Sequence, residues 1–289
     1  MNPDLNQSFD QLPEEDRLTV FGVEYAHLKA QTGGDLYVTR FGWPAVDCLL
    51  PQQWYDDRYY SNVGERMKGS TGTVYFLRTC PLEGHCIDVI IKFSRMAQHV
   101  PLMAADSLPP GVDRNEMASA TFNGPFEEFG LLLEMRNRPV PDGRKAMYTK
   151  RPLAIYVPAK RFPMWQMGRS NSRFHVHEHL LAKDQADSDR PVRYDIRRDY
   201  IMLFGWVDGL DAQQAAADGL LTDEQLEQLT ARATEDMRSR GFSVLDNKPK
   251  HYIVRRRRNG ELMRDKDGDP IYALIDFELL QRTPEYRQQ

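Results

Sequence analysis

Residues 242–254 read FSVLDNKPKHYIV, and this stretch contains three different functional groups close together in one predicted loop. A carboxylate, an ammonium group and an imidazole, those of Asp246, Lys248 and His251, fall within six consecutive positions. The loop comes after a predicted helix and leads into predicted strands. It is therefore expected to hold these groups between ordered elements.

The elements on either side of this loop have clear signals. Residues 222–240 open with Thr222, have a glutamine three positions later and carry apolar residues at helical spacing, which predicts a capped helix that ends at Gly241. After the loop, two Asx-Gly pairs at residues 259–260 and 267–268 predict the turns of a basic hairpin. Residues 272–280, YALIDFELL, then predict an apolar strand that leads to a second carboxylate.

The first half of the chain reads as short strands. Residues 59–93 are enriched in β-branched and aromatic residues and predict an antiparallel meander of three strands. A helix capped by Asn123 is predicted to begin after that residue, and strands are predicted at 152–160 and 200–209, the latter leading to a hinge. This order of elements indicates an α+β protein in two lobes.

Two N-terminal segments resemble parts of the protein-kinase signature set. Residues 69–74, GSTGTV, resemble the later part of the glycine-rich loop, which implies that Gly69 and Gly72 approach the phosphates of ATP and that Val74 covers the base. Residues 89–92, VIIK, resemble the third-strand motif, which implies that Lys92 neutralises the α and β phosphates.

The resemblance also requires a helix glutamate that holds the lysine. Glu128 is the preferred candidate and its neighbour Glu127 is the alternative, since both lie on the predicted helix after residue 123. Carboxylates are favoured near any helix N-terminus, which is an alternative explanation for both.

Two further segments resemble the same family in the same order. In DNKPKH, the resemblance implies that Asp246 is the base that orients the acceptor hydroxyl, that Lys248 lies near the transferred phosphoryl group, and that His251 replaces the usual asparagine metal ligand. In Ile-Asp-Phe, it implies that Asp276 holds Mg²⁺ across the β and γ phosphates. A histidine ligand also suggests that Mn²⁺ is tolerated.

Several supporting residues of the family pattern are replaced. The replacements are Met67 for the first glycine, Val244-Leu245 for the His-Arg pair, His251 for asparagine and Glu278 for the glycine after Asp276-Phe277. A pseudokinase-like module that binds nucleotide or regulates a partner without phosphotransfer is therefore the alternative. A strand-end lysine, turn carboxylates and a loop histidine are the ordinary explanations for the individual residues.

The resemblance implies a bilobed protein-kinase-like fold, with an antiparallel β N-lobe and a reduced, mainly helical C-lobe. The expected divisions are an N-terminal extension at 1–58, which packs onto the N-lobe, then the N-lobe and hinge at 59–209, and the C-lobe at 210–289.

Only 13 residues come after Asp276. This leaves no room for the helices with which protein kinases grip a peptide, unless a protein partner completes the C-lobe, so the expected acceptor is a small molecule or sugar. The His-containing loop is similar to that of bacterial lipopolysaccharide-core sugar kinases.

Composition limits the remaining classes. The chain has 289 residues, 41% of them hydrophobic, and no apolar run long enough to span a membrane. Three cysteines cannot form a disulfide framework, and the N-terminus lacks the features of a secretory signal, so a cytoplasmic location is expected. A third alternative is nucleic-acid binding through the arginine run at 255–258, and the net charge of −4 argues against it.

Two other groups of possible metal ligands have simpler explanations. His175, His177 and His179 alternate as they would on one face of a strand, but a solvated connection is the simpler interpretation. Cys80, His85 and Cys86 flank a predicted turn and have no fourth ligand at a recognised spacing.

Overall fold

A computed structural model describes residues 3–67, 72–80, 84–95, 120, 122–138, 147–163 and 191–287. The chain divides into two compact units. The first contains residues 1–99, 124–130 and 151–206, and the second contains residues 100–123, 131–150 and 207–289. The chain passes from one unit to the other at five points, so this division differs from the consecutive segments expected from the sequence.

Strands outnumber helices among the described residues. The strands are β1 (Arg17–Val20), β2 (Val23–Lys29), β3 (Asp35–Thr39), β4 (Glu65–Arg66), β5 (Val74–Arg78), β6 (Asp88–Phe93), β7 (Tyr148–Thr149), β8 (Pro152–Val157), β9 (Ile201–Gly205), β10 (Leu210–Asp211), β11 (Phe242–Val244), β12 (Tyr252–Val254), β13 (Tyr272–Leu274) and β14 (Leu280–Arg282). The α-helices are α1 (Val46–Leu49), α2 (Tyr59–Asn62), α3 (Pro125–Asn137), α4 (Ala212–Ala217), α5 (Asp223–Arg238) and α6 (Pro284–Arg287).

An eight-stranded antiparallel sheet forms the centre of the first unit. Its order is β1-β2-β3-β8-β9-β6-β5-β4. Strands β8 and β9 are buried at every position, as expected for apolar runs in the middle of a sheet. The strands predicted at 152–160 and 200–209, and the meander formed by β4, β5 and β6, are confirmed.

Residues 17–39 contribute three of these strands, which the sequence analysis does not predict. Strands β1 and β2 are joined by Phe21 and Gly22, whose φ angles of 48° and 73° are those of a type I′ hairpin turn. All five residues of β3 are buried. Part of the segment 1–58 is thus built into the main sheet, whereas the sequence predicts an extension packed onto it.

The second unit contains two small sheets, and its longest helix is α5. One sheet has the order β10-β12-β13-β7, in which only β13 and β7 are parallel, and the other pairs β11 with β14. The predicted cap of α5 is confirmed, because the Thr222 side chain accepts a hydrogen bond from the Gln225 backbone and the Gln225 side chain accepts one in return. The predicted hairpin turns are also confirmed, with Gly260 and Gly268 both at a φ of 88°.

The chain is therefore an α+β protein with a large antiparallel sheet and several helices. Helix α3 begins in the first unit and continues into the second. Across the described ranges, no helix has both the length and the apolar character needed to cross a membrane.

Candidate functional site

Two sets of candidate residues lie in different units, and the first contains Lys92. Lys92 lies on β6, between Val74 of β5 and Met202 of β9 in the strand register. Its Nζ is 3.1 Å from Oε1 and 3.3 Å from Oε2 of Glu128, which lies in the first turn of α3. The structure thus places together Lys92 and the preferred of the two candidate glutamates.

This ion pair is almost completely buried. The exposed fraction of the side chain is 9% for Lys92 and 1% for Glu128. Removing two charges from water costs several kcal/mol per ion, and their attraction often does no more than offset it. A buried pair of this kind is therefore weak evidence of a stabilising role and a reason to consider a functional one.

The glycine-rich segment connects β4 to β5. Gly72 precedes β5 and Val74 is its first residue, while Gly69 lies outside the described residues. The Met67 amide donates to the Val74 carbonyl at 2.9 Å, and the Phe93 amide donates to the Thr73 carbonyl at 3.0 Å. These bonds fix the end of the loop beside the strand that carries Lys92.

The second set, in the second unit, begins with Asp246 and Lys248. Lys248 Nζ lies 2.6 Å from Asp246 Oδ1, and both side chains are about 70% buried, with 27% and 29% of their surfaces exposed. The candidate base is therefore ion-paired within its own loop.

This loop is held by Asn247, which the sequence analysis does not identify as a functional candidate. Its side-chain amide donates to Thr234 Oγ1 on α5 at 2.7 Å, and its Oδ1 accepts a hydrogen bond from the Tyr252 hydroxyl. The expected His-Arg brace is absent from the sequence, and these contacts fix the loop between α5 and β12 instead.

His251 and Asp276 lie together in the same unit. His251 Nε2 is 3.5 Å from Asp276 Oδ2, and the imidazole is buried. Burial lowers the pKa of His251, and this outweighs the opposing effect of the negative charges of Asp276 and Asp246. The ring is therefore neutral at pH 7, which is the form that can ligate a metal.

The segment that carries Asp276 is fixed by Asn123. The Asn123 side chain donates to the carbonyls of Phe277 at 3.0 Å and Leu280 at 2.8 Å, and its backbone amide donates to the carbonyl of Glu278 at 2.9 Å. The sequence predicts only a helix cap at this position. No local pattern could have revealed these contacts, since they join residues more than 150 positions apart.

The donor set of the second unit fits a divalent cation bound with a nucleotide. Mg²⁺ in such sites keeps several waters and binds one or two protein groups together with phosphate oxygens. Asp276 and His251 could supply those groups. The described part of the chain contains no cluster of three or more His, Cys, Asp or Glu side chains able to hold a metal by itself, and a nucleotide-dependent site does not need one.

A pocket in the second unit lies beside the loop at 246–251, but the candidate functional side chains do not line it. Its volume is about 1280 Å³, and its walls include Asn247 and Pro249 together with α5 and the segment 281–286. Asp246, Lys248, His251 and Asp276 do not line it. We take these four residues as the candidate site, because they supply the carboxylate, ammonium and imidazole groups that a catalytic site would use.

The remaining candidates have less support. His175, His177 and His179 lie outside the described residues. Cys80 and Cys86 are free thiols. All four arginines at 255–258 are exposed.

No known protein-family model matches the chain, and no curated protein matches it. Among solved structures, the chain is similar to the complex of Rv3197 with erythromycin from Mycobacterium tuberculosis, at 12% sequence identity and a TM-score of 0.29. The match covers 84% of this chain and 52% of that one, so the chain spans about half the length of that protein. A TM-score this low does not establish a shared fold, and the likeness supports no functional inference.

Proposed function

We propose that this chain is an ATP-dependent phosphotransferase with a protein-kinase-like, bilobed architecture, acting on the hydroxyl group of a small molecule or sugar. The observation that supports this proposal most is the buried ion pair of Lys92 with Glu128. A strand lysine held by a helix glutamate is the arrangement that positions an ammonium group on the phosphates of ATP.

Each candidate residue has a role in this proposal. Lys92 binds the α and β phosphates and Glu128 orients it, while the backbone around Gly69 and Gly72 covers the phosphates. Asp246 accepts the proton of the acceptor hydroxyl, and Lys248 offsets negative charge on the transferred group.

Asp276 and His251 would hold Mg²⁺ or Mn²⁺. When bound there, such a cation would neutralise charge that develops on the phosphate oxygens. Variants of Lys92 and variants of Asp276 test the phosphate-binding role and the cation-binding role separately. A cytoplasmic location is part of the same proposal. A protein partner that completes the C-lobe is the alternative for the acceptor, since such a partner could supply the helices that grip a peptide.

A pseudokinase-like module is the second candidate. Its support is the ion pair that already occupies Asp246, together with the replacement of the first loop glycine, the His-Arg pair and the glycine after Asp276-Phe277. In this case Lys92 and Asp276 would still bind nucleotide, but no phosphate would be transferred.

Thermal unfolding with and without nucleotide tests the binding site that both candidates share. ATP with Mg²⁺ or Mn²⁺ should raise the melting temperature of the wild type, because a ligand at 100 times its Kd stabilises the native state by about 2.7 kcal/mol. Lys92→Ala should reduce the shift. Asp35→Asn is the matched control, since it removes another buried charge of the same sheet. An unchanged wild-type melting temperature at millimolar nucleotide contradicts the proposal.

ADP release then separates the two candidates. The wild type should release ADP faster when sugars or small alcohols are added. Nucleotide binding without ADP release, with any acceptor tested, would favour the pseudokinase-like module.

A further inference from the structure

Two glycines, Gly124 and Gly130, lie on either side of Glu128 in the sequence. Gly124 directly precedes α3, four residues before Glu128, and Gly130 lies in the helix two residues after it. Neither has a left-handed φ angle. Backbone conformation therefore does not explain why glycine occupies these positions, and glycine inside a helix is otherwise unfavourable.

The explanation at Gly130 is the close approach of the β1–β2 turn. A Cβ atom at Gly130 would lie 2.6 Å from the backbone oxygen of Phe21 and 2.8 Å from its Cβ. Both distances are too short for non-bonded atoms, and the nearest atom belongs to the backbone. Phe21 itself has a φ of 48°, which is uncommon for a residue other than glycine.

The explanation at Gly124 is the half-buried side chain of Tyr194, whose hydroxyl oxygen is buried. A Cβ atom there would lie 2.4 Å from the Tyr194 hydroxyl oxygen and 2.8 Å from Cζ. Tyr194 also contacts Phe126 in the first turn of α3, with ring centroids 6.0 Å apart. Tyr25 of β2 contacts Phe126 from another side, with its ring centroid 5.4 Å away. The first turns of α3 are thus enclosed on several sides by the first unit.

We propose that Gly124 and Gly130 are positioning residues for Glu128: their bare α-carbons let Tyr194 and the Phe21 turn lie directly against α3, and this packing holds the Glu128 carboxylate on Lys92. The role of that pair in catalysis rests on the proposed function, but the positioning itself does not. An added methyl group at either glycine must move the segment or its neighbour. Because Glu128 is within about one turn of both positions, its carboxylate moves with the helix.

The chemical reactivity of Lys92 tests this without any nucleotide. Acetic anhydride acylates amines that are free and accessible, so buried, ion-paired Lys92 should react slowly in the wild type, as measured by peptide mass spectrometry. Gly130→Ala and Gly124→Ala should each increase the rate at Lys92 at least fivefold relative to an exposed lysine such as Lys266. Gly205→Ala is the control, since a Cβ atom there meets nothing closer than 3.6 Å.

A second substitution keeps the test decisive if one variant folds poorly. Tyr194→Leu removes the ring that packs against Gly124 and Phe126, so it should also increase the acylation rate at Lys92 without a change at either glycine. Slow acylation in a folded Gly130→Ala or Gly124→Ala protein, or in a folded Tyr194→Leu protein, overturns the positioning role. Fast acylation in these variants while wild type binds no ATP would uphold positioning and contradict the proposed function.

Discussion

At the scale of single residues, the most informative contact is the buried pair of Lys92 and Glu128. A buried charge without its partner is costly, whereas two apolar groups of similar size can replace a buried pair at little cost. The pair can therefore be tested for stability and for function separately.

Lys92→Met and Glu128→Leu should each destabilise the protein by about 3–5 kcal/mol, because each removes one charge of a buried ion pair and leaves the other in place. The double variant should recover most of that loss. Urea unfolding measures all three proteins. If the stability loss of the double variant equals the sum of the two single losses, Lys92 and Glu128 are each stabilised mainly by other residues. In that case the pair would no longer support the proposed nucleotide site.

Asp35 offers a test of stability against pH. Burial raises the pKa of its carboxyl, but hydrogen bonds from Lys29, His27 and Arg198 more than offset this and leave the pKa below its usual value. A lowered folded-state pKa gives stability that is complete above the unfolded value, about 3.9, and is lost as the pH falls through the folded-state pKa.

Wild type should therefore lose stability relative to Asp35→Asn as the pH falls from about 5 to 3. Urea unfolding at each pH measures the difference. Asp10→Asn, at an exposed site paired with Arg40, is the control and should show a much smaller change. Parallel curves for wild type and Asp35→Asn would mean that the Asp35 contacts do not favour the charged carboxylate.

Asp276 and His251 differ in their expected importance. If the proposed function holds, Asp276→Asn should lower phosphotransfer at least about 100-fold while leaving the melting temperature nearly unchanged, because it removes the charge proposed to bind the cation. His251→Asn should be milder and should shift the preference between Mn²⁺ and Mg²⁺. An unchanged preference in His251→Asn would exclude His251 as a ligand.

At the scale of elements, the loop at 246–251 is held in place by the side chain of Asn247. Asn247→Ala removes hydrogen bonds to α5 and to Tyr252, each worth about 1 kcal/mol. We expect a loss of about 2 kcal/mol in stability and a larger, at least tenfold, loss of phosphotransfer, since Asp246 and Lys248 flank Asn247. Asn62→Ala, which removes an exposed hydrogen bond, is the control. Full activity in a destabilised Asn247→Ala protein would show that the brace is only structural.

Local patterns predict the elements whose signals are local. The cap of α5, the glycine turns of the basic hairpin and the apolar runs of β8 and β9 are all readable from the sequence. Strands β1 to β3 are not predicted from the sequence, because their place in the sheet depends on the pairing of β3 with β8, which is more than 100 residues away in the chain. The candidate functional residues divide in the same way. Lys92 and Asp276 emerge from short motifs, whereas Asn123 and Gly130 matter through contacts that no spacing reveals.

At the scale of the whole molecule, the second unit is assembled from distant parts of the chain. Strand β13 pairs with β7, and Arg282 binds Glu134. Residues 207–289 taken alone would therefore lose the partners that residues 131–150 provide. A fragment of residues 207–289 should therefore not fold alone, and circular dichroism should show it largely unstructured. Adding a peptide of residues 122–150 should restore some structure. Cooperative unfolding of the fragment by itself would contradict this assignment.

The interleaving of the two units also has a consequence during protein synthesis. The last segment of the first unit ends at residue 206, so this unit has its full sequence while residues 207–289 are still to be translated. At roughly 5–20 residues per second, those 83 residues (289 − 206) take about 4–17 s. Throughout that time the second half of α3, which contains the buried residues Leu131, Leu132 and Met135, lacks the 207–289 part of its own unit, including the Arg282 that binds Glu134. This segment of the nascent chain is where we expect a chaperone that binds exposed apolar sequence to act first.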